Sequence, residues 1–380
     1  MKMKLGDVCK FIGGGTPSKK NPAFYGGIIP WATVRDMNVR VIKTTEHSIT
    51  PDAVQQSATN IIPKGEVVIS THVGLGKVCF LGQDTAINQD LKAVIPNGEL
   101  SRRYLYYWFI SKADELIANG KGATVKGVTL DFVKNLKIQV LPEREQEVVS
   151  DTLDKVNHII ELADSQVARL DQLVKSRFVE MFGILAEHRF EQCSLESICE
   201  FIKDGTHQTP TYTSDTVNGY KFLSSKDVVG GVIDWSRIKY IPRELHEELY
   251  ARLSPRKNDI LLAKNGTTGI AALVETDEVF DIYVSLALLR FKTDVDMKYI
   301  LWAINSSETK RQFNHSLKGV GVPNLHLGEI KKTIIPLPPL PLQREFAAFV
   351  AKVDKLAFAA RQRWDVAKKL YRAKIQEFFG

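Results

Sequence analysis

The chain carries the same text twice. Leu5-Gly-Asp-Val-Cys-Lys-Phe-Ile-Gly-Gly-Gly-Thr16 returns as Leu195-Glu-Ser-Ile-Cys-Glu-Phe-Ile-Lys-Asp-Gly-Thr206, 190 residues later. The separation then drifts, from 191 (Asp36 and Asp227) through 193 (Gly76 and Gly269) and 195 (Tyr104 and Tyr299) to 197 (Gly122 and Gly319). It stays at 197 as far as Phe182-Gly183 and Phe379-Gly380. Drift marks loop insertions, whereas constancy marks a rigid element that tolerates none. A period this long excludes a solenoid, whose repeats run to a few tens of residues. The repeat reads as a duplicated domain with its connector, and a two-headed molecule is the purpose it suggests.

The rigid part is helical. From Glu143 to Phe182 there is neither Pro nor Gly. Val149, Leu153, Val156, Ile160, Ala163, Val167, Leu170 and Val174 alternate in steps of four and three, the seam of a coiled coil. Pro142 stands at its start and Gly183 at its end. Forty residues at 1.5 Å each give a rod of about 60 Å. Adding 197 yields a second seam of Phe346, Val350, Val353, Ala357, Ala360, Trp364, Ala367 and Tyr371. Its residues are small or aromatic, so each seam is expected to pack against the other copy. Residues 143–164 hold seven acids against two bases, and residues 355–374 hold seven bases against Asp365 alone. That polarity predicts an antiparallel pair, although acids at helix starts and bases at helix ends also suit the helix dipole.

The heads, 1–141 and 184–338, read as mixed α/β units. Short runs such as Glu66–Ser70, Lys77–Leu81 and Asp259–Ala263 predict strands. A helical stretch over Ser101–Asn119 recurs over Asp296–Asn314. The composition, 44% hydrophobic and 25% charged, is that of a globular chain. No apolar run approaches the roughly 20 residues that span a bilayer, and the first residues lack the apolar stretch of a signal peptide. A cytoplasmic protein is expected. Cys9, Cys79, Cys193 and Cys199 form no CxxC pair and read as buried small hydrophobes. The net charge of +7 is shared by both halves, 24 basic and 21 acidic side chains in residues 1–190 and 27 and 23 in residues 191–380. It hints at a polyanion as partner.

Signs of catalysis are missing. Gly13-Gly-Gly-Thr-Pro-Ser-Lys-Lys20 lacks the spacing of a phosphate-binding GxxxxGK[ST] loop. Asn21-Pro-Ala-Phe24 departs at its third residue from the Asn-Pro-Pro-Tyr/Phe loop of amino-methyltransferases. Pro51-Asp52 and Glu66-Val-Val68 lack the lysine of a PD-ExK nuclease. His72, His207 and His326 have no metal-ligand spacing. The expectation is a binding protein with no catalytic and no metal-ligating residue.

The helix starts make the reading specific. Ile334-Ile-Pro-Leu-Pro-Pro-Leu-Pro-Leu-Gln343, with its counterpart Lys137-Ile-Gln-Val-Leu-Pro-Glu-Arg-Glu-Gln146, resembles the "IPLPP…Q" entrance to the long helices of type I restriction–modification specificity subunits. So do Phe11-Ile-Gly-Gly-Gly-Thr-Pro17, Ile29-Pro-Trp31 and Asp36, while Lys64–Ser70 and Asp259–Ala263 resemble the family's "GDILIS" strand. The resemblance spans the whole chain in the order head, helix, head, helix. The second head departs from it with Gly205-Thr-His207 in place of Gly-Thr-Pro, and the first helix entrance has one proline rather than several.

The resemblance implies an α+β fold with two mixed α/β target-recognition domains in pseudo-twofold arrangement, separated by two long antiparallel helices forming a coiled coil. The domains would be 1–141 (first target-recognition domain), 142–183 (central helix), 184–338 (second target-recognition domain) and 339–380 (C-terminal helix). Each head would read one half of a bipartite, asymmetric sequence in double-stranded DNA, and the helices would set the gap and dock two methyltransferase (M) subunits. Endonuclease/translocase (R) subunits would join that core. S-adenosylmethionine would belong to the methyltransferase, ATP and Mg to the endonuclease, and no cofactor to this chain. The competing readings are a stand-alone two-headed DNA-binding regulator and a coiled-coil scaffold.

Candidate DNA contacts follow from residue type and loop position. In the first head they are Lys19, Lys20, Arg35, Arg40, Lys43, Thr71, His72, Lys77 and Lys126. In the second they are Lys203, His207, Gln208, Tyr212, Lys226, Arg237, Lys239, Lys264 and Asn265. Arg, Lys, Asn and Gln carry the donors and acceptors that read base edges. Trp31, Trp235 and Tyr106-Tyr107-Trp108 read as core.

Overall fold

The computed structural model describes residues 2–122, 126–266, 268–292, 294–317 and 323–380. Gly319, one partner of the 197-residue offset, lies outside them. The chain forms two compact units, Met1–Ser165 with Ala360–Gly380, and Gln166–Ala359.

The first unit runs β1 (Lys2–Lys4), α1 (Leu5–Val8), β2 (Cys9–Gly13), β3 (Tyr25–Ala32), β4 (Val41–Ile42), β5 (His47–Ile49), α2 (Pro51–Gln55), β6 (Ile61–Ile62), β7 (Val67–Ser70), β8 (Val78–Leu81), β9 (Thr85–Ile87) and β10 (Leu91–Pro96). Then come α3 (Arg102–Ser111), α4 (Ala113–Ala118), α5 (Leu130–Asn135), β11 (Lys137–Gln139) and the start of the long helix α6 (Glu143–Phe182). One sheet has the order β2-β10-β7-β8-β4, another β5-β3-β9-β6, and β1 pairs with β11.

The second unit repeats the plan. It contains β12 (Gln192–Ser194), α7 (Leu195–Ile198), β13 (Cys199–Asp204), β14 (Tyr220–Leu223), β15 (Val228–Val229), β16 (Val232–Ile233), β17 (Lys239–Ile241), α8 (Arg243–Arg252), β18 (Ile260–Ala263), β19 (Ile270–Leu273), β20 (Phe280–Ile282) and β21 (Leu286–Phe291). After them come α9 (Met297–Asn305), α10 (Ser307–Ser316), α11 (Leu327–Lys332), β22 (Ile334–Pro336) and the start of α12 (Leu340–Phe379). The sheet order β13-β21-β18-β19 matches β2-β10-β7-β8, β17-β14-β20 matches β5-β3-β9, and β12-β22 matches β1-β11. β3 with β9 and β14 with β20 are parallel pairs. β15 and β16 form a separate hairpin closed by Gly230 and Gly231, both at positive φ.

The stretches read as one helix each are broken at the same place. Lys112 ends α3 and Ser306 ends α9. The Ser306 hydroxyl accepts from the Thr309 amide at 3.3 Å and so opens a new helix.

The long helices bury the periodic seam. In the first unit Val149 and Leu153 join the core that holds Tyr104, Leu105 and Trp108, against which Tyr371, Ile375, Phe378 and Phe379 of α12 pack. Val156 and Ile160 pack with Trp364, Ala367 and Tyr371. Rising numbers on α6 meet falling numbers on α12, so the two run antiparallel in this unit. In the second unit Leu170, Val174, Phe178 and Phe182 meet Phe346, Val350 and Val353, again antiparallel. Ala163 and Ala360 are buried, and Val167 and Ala357 half-buried. At the acidic start of α6, Asp151 and Asp154 bond Arg103 and Arg40 of the head.

A buried glutamine locks each helix start to its head. The Gln146 side chain accepts from the Ser101 amide (2.8 Å) and donates to the carbonyls of Glu99 (2.9 Å) and Leu141 (2.8 Å). Gln343 accepts from the Asp296 amide (2.9 Å) and donates to the Pro338 carbonyl (2.7 Å). An apolar residue at either position would leave those backbone groups buried and unpaired, at about 1–3 kcal/mol each.

Candidate functional site

In each head four chain segments converge beyond the end of a central strand, on one shared set of backbone bonds. In the first head the Thr71 amide donates to the Asp90 carbonyl (2.9 Å), Val128 to Thr71 (2.8 Å), Gly14 to Leu91 (3.3 Å) and Gly15 to Ile87 (3.0 Å). In the second, Lys264 donates to Ser285 (2.9 Å), Leu325 to Lys264 (2.8 Å), Gly205 to Leu286 (3.3 Å) and Thr206 to Ile282 (3.0 Å). Gly14 and Gly205 are the tight points of this frame. A Cβ on Gly14 would stand 2.1 Å from the Asn88 carbonyl oxygen, and one on Gly205 2.1 Å from that of Ile282.

The side chains hung on the frame differ. In the first head Thr71 is buried and donates to the Asp90 carbonyl (3.2 Å), with the His72 ring 3.3 Å from its hydroxyl. The Asn88 amide group donates to the Asp90 carboxylate (3.1 Å). In the second head the Asp204 carboxylate lies 3.4 Å from the Lys264 ammonium and 3.1 Å from Nε2 of His207. Asn265 faces Asn324 across an isolated antiparallel bridge. Among the described residues the Oδ1 atoms of both are buried without a hydrogen-bond partner. His207 and Gln208 are exposed.

The other expected contacts lie apart from these clusters. Lys19, Lys20, Lys43, Lys126, Lys203, Lys226 and Arg237 are exposed. Arg35 is exposed and pairs with Glu46 at 3.3 Å. Tyr212 is exposed with the Lys239 ammonium 3.9 Å from its ring centroid, a cation–π pair. Lys77 donates to Asn38 (2.7 Å) and to the Val34 carbonyl (3.4 Å).

Two expectations of free surface cations need correction. Arg40 turns inward, bonded to Asp154 and lying over the rings of Phe80, Tyr106 and Tyr107. Lys264 is only 6% exposed and faces Asp204. A charge on a loop finds a half-buried carboxylate when the fold brings one close, which chain position alone does not reveal. Asn324 was missed altogether, because its partner Asn265 is remote in the chain.

Asp154 is the electrostatic centre of the first head–helix joint. Burial alone would raise its pKa, but the Tyr107 hydroxyl and the Arg40 and Arg103 guanidiniums outweigh burial and hold it below the ordinary carboxylate value. Burial pushes the thiols of Cys9, Cys79 and Cys199 up to about 12, so these cysteines are inert small side chains. Among the described residues no group of three or more His, Cys, Asp or Glu comes together to hold a metal ion. No helix among them is long and apolar enough to cross a membrane.

The family profile described as the type I restriction modification DNA specificity domain matches residues 1–172 and 189–363. The chain is 33% identical over 158 residues to the EcoR124I/EcoR124II specificity subunit of Escherichia coli, a stretch that is 40% of this chain and 39% of that protein. Against the MjaIX specificity subunit of Methanocaldococcus jannaschii the identity is 23% over 401 aligned positions, 99% of this chain and 92% of that protein. Among solved structures, the S subunit of a type I restriction–modification system from M. genitalium has a TM-score of 0.57 at 14% identity, covering 100% of this chain and 96% of that one. A structure described as showing complex assembly and conformational transition of the type I R-M system gives 0.58 at 18%, covering 100% and 97%. At these identities the structural likeness is one of fold.

Proposed function

The chain belongs to the type I restriction–modification DNA specificity family, and from that premise we propose that it is the non-catalytic, sequence-reading subunit of such a complex in the cytoplasm. Each head reads one half of a bipartite, asymmetric site, and the bases between the halves go unread. The observation that carries this is the one frame built twice with different side chains on it, each copy locked by a buried glutamine to a long helix. A single DNA-binding domain has no use for two such frames.

The chemistry of the surface supports the reading. Exposed Lys and Arg side chains suit phosphate contacts, which position a protein on the duplex, while base reading falls to a few polar groups. The helices carry exposed apolar side chains, among them Val148, Ile159 and Leu162 on α6 and Val366 and Leu370 on α12. Such residues beside the buried seam suit the docking of two methyltransferase subunits. S-adenosylmethionine belongs to those partners, and ATP and Mg to the endonuclease subunits.

The test is methylation mapping in cells that carry the partner methyltransferase, with this chain present, absent, or with residues 1–141 exchanged for another head. The expected result is one bipartite adenine-methylated motif that disappears with the chain and changes in one half only with the exchange. A contiguous motif, or a change in both halves, would overturn the proposal.

A further inference from the structure

Because the backbone frame is common to both heads, it cannot distinguish one half-site from the other. Discrimination has to come from the side chains that the frame holds. The sharpest contrast lies where the loop after the central strand meets the segment before α5 or α11. In the first head that place holds His72, whose ring lies 3.3 Å from the Thr71 hydroxyl, and Gly127, whose amide donates to the Lys121 carbonyl. In the second head the matching place holds Asn265 and Asn324, whose Oδ1 atoms are buried and accept nothing among the described residues.

Buried polar atoms are nearly always paired, and each unpaired acceptor costs about 1–3 kcal/mol. Two of them at one bridge form a site that lacks its donor. The nearby cation does not supply it, since Lys264 faces Asp204. A phosphate fits poorly for the same reason: it needs an uncommitted cation, and the unpaired groups here are acceptors. Both asparagines are only half-buried as residues. Among the described residues nothing bonds either oxygen to hold the carboxamide in place, and the terminal torsion of Asn is broad. Rotation therefore presents acceptor and donor side by side at the surface without breaking a bond to the oxygen. That pattern complements the N6 amino group and N7 of adenine in the major groove.

We propose that Asn265 and Asn324 form the adenine-reading point of the second head, a specificity-determining pair for the second half-site. The inference rests on the chain being a DNA specificity subunit. It predicts an unusual combination. A residue kept for the fold loses stability when truncated, whereas Asn265→Ala and Asn324→Ala each remove an unpaired acceptor and should leave thermal unfolding unchanged or raised.

The experiment uses the complex of this chain with its partner methyltransferase and duplexes carrying the site that the wild-type complex methylates. Each alanine variant should bind about 10- to 100-fold more weakly, from the energy of one bidentate base contact. The methylation motif should relax in the second half alone. In a second arm each adenine of the second half-site is replaced in turn by purine, which lacks the amino group. One replacement should cost the wild type a similar factor and cost the Asn variants little more. This arm needs no variant to fold, since the wild-type loss is read by itself. Wild-type indifference to purine at every second-half position would overturn the inference, as would variants that keep the second half-site at wild-type affinity. Weakening that is equal on all sequences would also overturn it, by assigning the pair to the backbone. A wild-type complex that selects no bipartite site would instead sink the functional reading beneath it.

Discussion

At the joint of the first head, one carboxylate answers to three donors. Arg103 and Tyr107 stand one turn apart on α3, Arg40 comes from the loop before β4, and all three bond Asp154 on α6. Their sequence positions give no hint of this meeting. Because the folded pKa of Asp154 is depressed, its stabilisation is present above the unfolded value of 3.8 and is lost as pH falls through the folded value. Asp154→Asn should therefore cost about 2 kcal/mol at pH 7, the range for hydrogen bonds to a charged group. The difference from wild type should shrink below about pH 4. Urea unfolding at pH 7 and pH 3 measures both. An equal difference at the two pH values would mean that packing, not charge, holds the joint.

Among the elements, helices were legible and sheet register was not. The seam of α6 could be read because a coiled-coil period repeats over forty residues, and the structure extends it to Phe178 and Phe182. The heads are built of strands two to eight residues long, paired across the chain, so local pattern says little about partners. The opening repeat shows how letters mislead. Matched by identity, Phe11 corresponds to Phe201. By pairing, Cys9 faces Pro96 and Cys199 faces Phe291, but then Lys10 faces Ile95 whereas Phe201 faces Arg290. Glu200 is the extra residue of a β-bulge, and beyond it Phe11 corresponds to Ile202. A one-residue slip exchanges the faces of a strand: Phe11 packs in the helix-side core of its head, and Phe201 in the opposite core of its own. Deleting Glu200 should leave the second head with the regular pairing of the first and keep a cooperative thermal transition within a few degrees of wild type. Deleting Leu288 from β21, which is hydrogen-bonded on both sides, should abolish that transition. If both deletions behave alike in calorimetry, the bulge is not the slack that the register implies. The candidate site divides the same way. Lys264, Asn265, His207 and Gln208 were legible as polar residues past strand ends, whereas Asn324 enters only through a bridge to a loop about sixty residues earlier.

For the whole molecule the telling quantity is length. The two helices are each 40 residues long, and the offset between the copies is locked through them, while the heads have drifted in their loops. Under the proposed function the helices act as the ruler of the unread gap. Adding four residues to both helices, about one turn or 6 Å, would keep the apolar seam nearly in phase. That length is close to two base-pair steps at about 3.4 Å each. The methylated site should then keep the same bases in both halves with a longer gap between them. Adding two residues instead rotates the seam by about 200° at 3.6 residues per turn and turns Val167, Leu170 and Val174 away from their partners. That variant should lose assembly with the methyltransferase and leave the genome unmethylated. Methylation mapping of both variants, in cells lacking the wild-type gene, separates the cases. A four-residue variant that is active on an unchanged gap would show that the spacing is set in the heads, and the constancy of the offset would then reflect helix packing alone.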